Sequence, residues 1–134
     1  MKKLLVYSLL ILHSLVLARA GTPRAALDGV LIERETGGVL QFVLEGNRVC
    51  FHFFDDQMNP LPPDVDRITV RLQSSTEQQR FTVAIPYEGV DGLRAPLFIR
   101  PPHIFIAHLA LMRDGSDQPI ETYVADYPAA EAAD

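Results

Sequence analysis

The chain has 134 residues, a net charge of −5 from twelve basic and seventeen acidic side chains, and a single cysteine, Cys50. That length suits one domain around one core, and a lone cysteine excludes an internal disulfide, so stability must come from packing. The acidic balance, with arginines scattered along the chain, excludes the basic groove that a nucleic-acid partner requires.

The N-terminus runs from Met1, Lys2 and Lys3 through an apolar stretch over 4–17 to Leu17-Ala18-Arg19-Ala20 before Gly21. Basic, then apolar, then small at the cleavage site is the order of a secretory signal, expected here over residues 1–20. Ser8, His13 and Ser14 interrupt the apolar stretch, which is shorter than the roughly 20 residues a spanning helix needs. Gly21 stands where a lipoprotein would have cysteine. The expected product is therefore exported and periplasmic, with no membrane attachment after cleavage. It keeps nine arginines against seventeen acids, a charge of about −8, and no lysine.

Residues 21–127 are expected to form one all-β domain, an antiparallel β-sandwich of seven to eight strands, followed by a small, acidic, disordered tail over 128–134. Apolar residues recur with period two and are punctuated by Gly, Pro and Asp. The predicted strands are 29–33, 39–45, 48–55, 67–73, 80–85, 93–99, 104–113 and 120–126. Gly46-Asn47 between two apolar runs suits a two-residue hairpin turn with positive φ at Gly46. That turn sets the register, placing Gln41 opposite His52 and Val43 opposite Cys50. One face, with Leu40, Phe42, Leu44, Val49, Phe51 and Phe53, is then wholly apolar and belongs to the core.

Farther along, Ile68, Val70 and Leu72 are predicted to point inward from 67–73, and Phe81, Val83 and Ile85 to do the same from a second hairpin strand. Pro60, Pro62 and Pro63 stiffen the connection over 55–66, Pro101-Pro102 stops pairing before Ile104, and Asp114-Gly115 turns the chain into the last strand.

The second face of the first hairpin is mixed. Val39, Val43, Cys50 and Phe54 alternate with Gln41, Glu45, Arg48 and His52, the composition of an apolar patch with a polar border, which marks protein interfaces. The competing expectation is that another part of the chain covers it. Val39, Gln41, Val43, Cys50, His52 and Phe54 are the candidate protein-binding residues, for an unidentified partner or a second copy. The same face carries the candidate metal ligands Cys50 and His52, about 7 Å apart along the strand, with Met58 as a third; copper is the metal that this mixed thiol, imidazole and thioether set suits. His108 and Met112 share a strand face four residues apart, too far to chelate together, and His103 lies on a loop after two prolines.

Enzymatic activity is not expected. There is no Gly-x-Ser-x-Gly, Ser74, Ser75 and Ser116 read as turn residues, and Cys50 with His52 lacks an oxyanion donor or a third orienting group. Asp55-Asp56 and the 114–117 run do not match a calcium loop and read as solvated turn acids, with Glu33, Glu35 and Glu45 as a solvated rim.

The run Val49-Cys50-Phe51-His52-Phe53-Phe54-Asp55, followed by Asn59-Pro60-Leu61-Pro62, resembles the opening of small Ig-like bacterial periplasmic domains of the YtkA-like and FixH-like kind, including those attached to metal-efflux adaptor proteins. The resemblance implies an Ig-like sandwich in the periplasm near metal handling, and it brings no catalytic residue. The leading expectation is a non-enzymatic periplasmic accessory or interaction module, and the alternative is a copper or other transition-metal binding protein using Cys50 and His52.

Overall fold

The computed structural model describes residues 27–75, 77–89 and 91–129. The signal-peptide expectation and most of the predicted tail lie outside them. All described regular structure is antiparallel β, in nine strands: β1 (Val30–Glu33), β2 (Val39–Glu45), β3 (Arg48–Phe54), β4 (Pro60–Leu61), β5 (Arg67–Gln73), β6 (Arg80–Pro86), β7 (Leu93–Phe98), β8 (Phe105–Met112) and β9 (Glu121–Tyr127). Eight match predicted strands to within a residue or so. The ninth, β4, was expected as plain connection. It pairs with only the end of β3, Phe53 with Leu61 and Phe54 with Pro60, and an edge of that length tolerates the donor that Pro60 lacks.

The ladder order is β1-β2-β3-β7-β6-β5-β8-β9, with β4 beside the end of β3. Its weakest joint is β6 to β7, where only Ile85 pairs with Arg94 and Pro86 with Leu93. On either side of that joint the two halves fold over a common core. The outer edges then approach each other, because Arg34, just after β1, bridges to Glu121 at the start of β9, and the Glu35 N–H donates to the Tyr123 hydroxyl. The result is a nearly closed barrel.

The β2–β3 hairpin has the predicted register from Val39 opposite Phe54 to Glu45 opposite Arg48. Gly46 and Asn47 have φ of 57° and 62°, the pair of positive values that a type I′ turn needs and that matches the twist of the strands. Leu40, Phe42, Phe51 and Phe53 project into the core against Ile68, Val70, Leu109 and Leu111. Phe42 stacks on Phe51 at 5.3 Å between ring centres and meets Tyr127 edge-on at 5.5 Å.

One predicted orientation is reversed. In β6, Val83 pairs with Thr69 and Phe81 with Arg71. Residues directly opposite in a ladder share a face, and Ile68, Val70 and Leu72 occupy the inner face of β5. The inward residue of β6 is therefore Ala84, buried in the core, while Phe81, Val83 and Ile85 turn outward and are exposed. Ala84 stands directly opposite Ile68, and its methyl group packs into the core there.

Candidate functional site

The mixed face of β2 and β3 is covered. Cys50 is 0 % exposed, and Val39, Gln41, Val43 and Phe54 are buried as well, which removes the open patch expected from those residues. Three remote pieces close it. Leu27 and Leu31 pack with Met58 against Val39 and Phe54. Gln41 Nε2 donates to the Asp28 carbonyl at 2.9 Å, so the one amide on this face is satisfied on burial. Met58 reaches its place through a turn built by Asp55, whose carboxylate accepts the N–H groups of Gln57 and Asn59 at 2.9 and 2.8 Å. Those bonds, led by the one from Asn59, hold the Asp55 carboxyl below its ordinary pKa. Asp55 is thus a turn-builder and not a merely solvated acid.

At the other end of the face the structure brings Glu45, Cys50, His52 and Arg94 together. His52 Nε2 and Glu45 Oε1 share a hydrogen bond of 2.8 Å, Arg94 Nε donates to Cys50 Sγ at 3.4 Å, and Arg94 Nη2 lies 3.8 Å from Glu45 Oε2. Glu45 is therefore half-buried and bonded, where the sequence suggested a free rim acid. Burial pushes its carboxyl up, but hydrogen bonds from His52 and Cys50 and the charges of His52 and Arg94 outweigh that and hold it below the ordinary value. The Cys50 thiol goes the other way. Burial raises its pKa, the hydrogen bond from Arg94 opposes the rise, and the Glu45 charge adds to it.

A buried thiol kept protonated is a poor nucleophile and a poor ligand, because both roles need the thiolate. A guanidinium against the sulfur also opposes a cation there. Met58, the third predicted ligand, points into the apolar cluster with Val39 and Phe54. Among the described residues no three His, Cys, Asp or Glu side chains converge as a metal site. His103 is engaged with the Ile99 carbonyl at 3.0 Å, and Met112 is buried.

An open apolar groove lies on the other half of the barrel. Across β6, β5, β8 and β9 the outward residues fall into rows set by the pairing. Phe81, Arg71, His108 and Val124 form one row, and Val83, Thr69, Ala110 and Thr122 the next. The small side chains of the second row leave a shallow groove of about 720 Å³. Its walls are apolar, with Phe81 70 % exposed and Val124 66 % exposed, and Val83, Ile85 and Ile106 extend the apolar surface. On its floor Arg71 is half-buried beside His108.

Sequence reading missed this surface because it assigned Phe81, Val83 and Ile85 to the core. The available signal was the count of apolar faces: strands 67–73, 104–113 and 120–126 each carry an apolar set of their own, so a core partner was already present. Compared with known proteins, the chain matches no family model, and no curated protein or solved structure matches it either.

Proposed function

We propose that this chain is a non-enzymatic accessory module of the bacterial periplasm, Ig-like in kind and exported by its N-terminal signal, that binds a protein partner on the outward face of β6, β5, β8 and β9. The observation that carries the reading is the open groove on that face, walled by exposed Phe81 and Val83 on β6 and by exposed Val124 on β9. Scattered apolar residues are ordinary on a surface, but apolar walls on both sides of an open groove carry a solvation cost that a monomer gains nothing from. The interface moves from the β2–β3 face, where the sequence pattern suggested it, to the opposite half of the barrel.

A photo-crosslinking amino acid in place of Val124, in the protein expressed in its natural host, tests this. The expected result is a discrete protein adduct that is absent when the label replaces exposed Arg48 and is lost on adding Phe81→Asp. Equal, diffuse labelling from both positions would refute the assignment.

A further inference from the structure

The shape and charge of this face also restrict what can lie on it. Resting on the docking reading above, we propose that the occupant is an amphipathic helix of about four turns that carries a carboxylate in the middle of its apolar side and sets it on Arg71.

Width is the first argument. The walls on β6 and β9 stand three strand spacings apart, about 14 Å. A helix with its side chains is about 10–12 Å across and touches both walls, whereas an added strand, about 4.8 Å wide, touches one. The groove itself takes three residues of each strand, and the face that continues it along the seven residues of β5 gives about 23 Å, the length of about fifteen helical residues.

Charge is the second. Arg34, Arg67 and Arg94 each reach a carboxylate of this chain. Arg48, Arg71, Arg80, Arg100 and Arg113 have no carboxylate contact among the described residues, and of these only Arg71, half-buried on the groove floor beside His108, lines the groove. On this strand face the nearest acid, Asp126, stands beside Ile106 at the corner, and Glu121 is buried in its bridge with Arg34. An apolar groove with a cationic floor, on a chain of net charge −5, complements an apolar segment bearing an acid.

These features also disfavour a second copy. Face-to-face pairing about a two-fold centred on the groove sets Arg71 and His108 against themselves. Four strands by seven residues cover roughly 400 Å², about half of what each partner buries in a stable interface between globular domains. A single helix fits that area.

The test uses the signal-cleaved protein and synthetic fifteen-residue helical peptides with a leucine stripe. One carries Glu at the centre of the stripe, a twin carries Lys there, and a third is the Glu peptide interrupted by proline. Binding is read by fluorescence anisotropy at two salt concentrations. The Glu peptide is expected to bind at least about tenfold more tightly than the Lys twin, with the gap narrowing in high salt. Arg71→Gln should erase that gap while melting at the wild-type temperature. Phe81→Ser with Val124→Ser should weaken both peptides, and the proline peptide should bind poorly. Equal affinity for Glu and Lys peptides overturns the proposal, as does equal affinity for the proline peptide. A concentration-dependent dimer abolished by Phe81→Ser overturns it in favour of a second copy, and tighter binding to phosphatidylglycerol vesicles than to the peptides overturns it in favour of a lipid surface. Failure of the peptides with the Val124 adduct intact overturns the helix alone, whereas failure of both overturns the docking reading as well.

Discussion

Replacing Glu121 with glutamine should unlatch the seam where the two edges of the sheet meet. The Glu121 side chain is 1 % exposed and that of Arg34 6 %, and their bond links residues 87 positions apart. The carboxylate accepts from Arg34 Nε at 2.9 Å, Arg34 Nη2 at 3.1 Å, the Tyr123 hydroxyl at 2.9 Å and the Thr36 hydroxyl. Glutamine offers one accepting oxygen and turns an N–H₂ toward the remaining donors, so at least one charge-assisted bond, worth about 1.5–3 kcal/mol, is lost. Breaking a buried ion pair from one side costs about 3–5 kcal/mol. Arg34 keeps a 2.8 Å bond to Asp64, so the lower end, about 3 kcal/mol, is the expected loss. In a domain of this size that lowers the melting temperature by roughly 12–20 °C.

The pH dependence gives an independent check. Burial pushes the Glu121 carboxyl up, but the bonds from Arg34, Thr36 and Tyr123 and the Arg34 charge prevail, so its folded pKa lies below the unfolded value. The stabilisation is therefore present above the unfolded pKa, about 4.3, and is lost as pH falls through the folded one. Glu45 and Asp55 are depressed too, so the wild-type curve alone does not isolate Glu121. The difference between wild type and Glu121→Gln does, and it should shrink between pH 7 and pH 3. Thermal unfolding followed by far-UV circular dichroism measures both effects. Exposed Asp64→Asn is the control, expected to cost under about 1 kcal/mol. A melting temperature for Glu121→Gln within about 2 °C of wild type at pH 7, or a gap that does not change with pH, refutes the reasoning.

Cys50 should react with a thiol reagent only as the protein unfolds, since it is fully buried and its thiol is held protonated. Rapid stoichiometric labelling in native buffer would contradict that, and equimolar copper should likewise leave no adduct in native mass spectra that depends on Cys50 and His52. At Gly92 an added Cβ would stand 1.8 Å from the Phe51 carbonyl oxygen, so Gly92→Ala must displace β3 from β7 and cost about 1–3 kcal/mol or more. A denaturant midpoint equal to wild type would show that the backbone yields there freely.

Local chemistry made part of this fold legible in the sequence. The β2–β3 hairpin follows from Gly46-Asn47, because a two-residue turn fixes register, and register fixes which side chains meet. The β6 orientation has no such anchor. Its parity depends on the link over 74–79, and alternation in Phe81, Val83 and Ile85 states only that the three share a face. The covering of Cys50 was equally hidden, since Leu27, Met58 and Arg94 come from three separated segments. The Arg34–Glu121 bridge did leave a trace: Glu121 shares strand parity with buried Ala125 and half-buried Tyr123 and Tyr127. An acid in an inward row requires donors, and finding them required the fold.

The two surprises are one fact seen from opposite sides. A chain of this length has one core, and that core takes one apolar row from each strand. Once Leu40, Phe42, Phe51 and Phe53 fill it against β5 and β8, every further apolar row must find other cover. On β2 and β3 the cover is intramolecular, supplied by the N-terminal residues and the Asp55 turn. On β6, β8 and β9 the described residues supply none, and Phe81 and Val124 remain exposed. The same packing that covers the β2–β3 face therefore leaves Phe81 and Val124 open, and the proposed partner contact rests on those two residues.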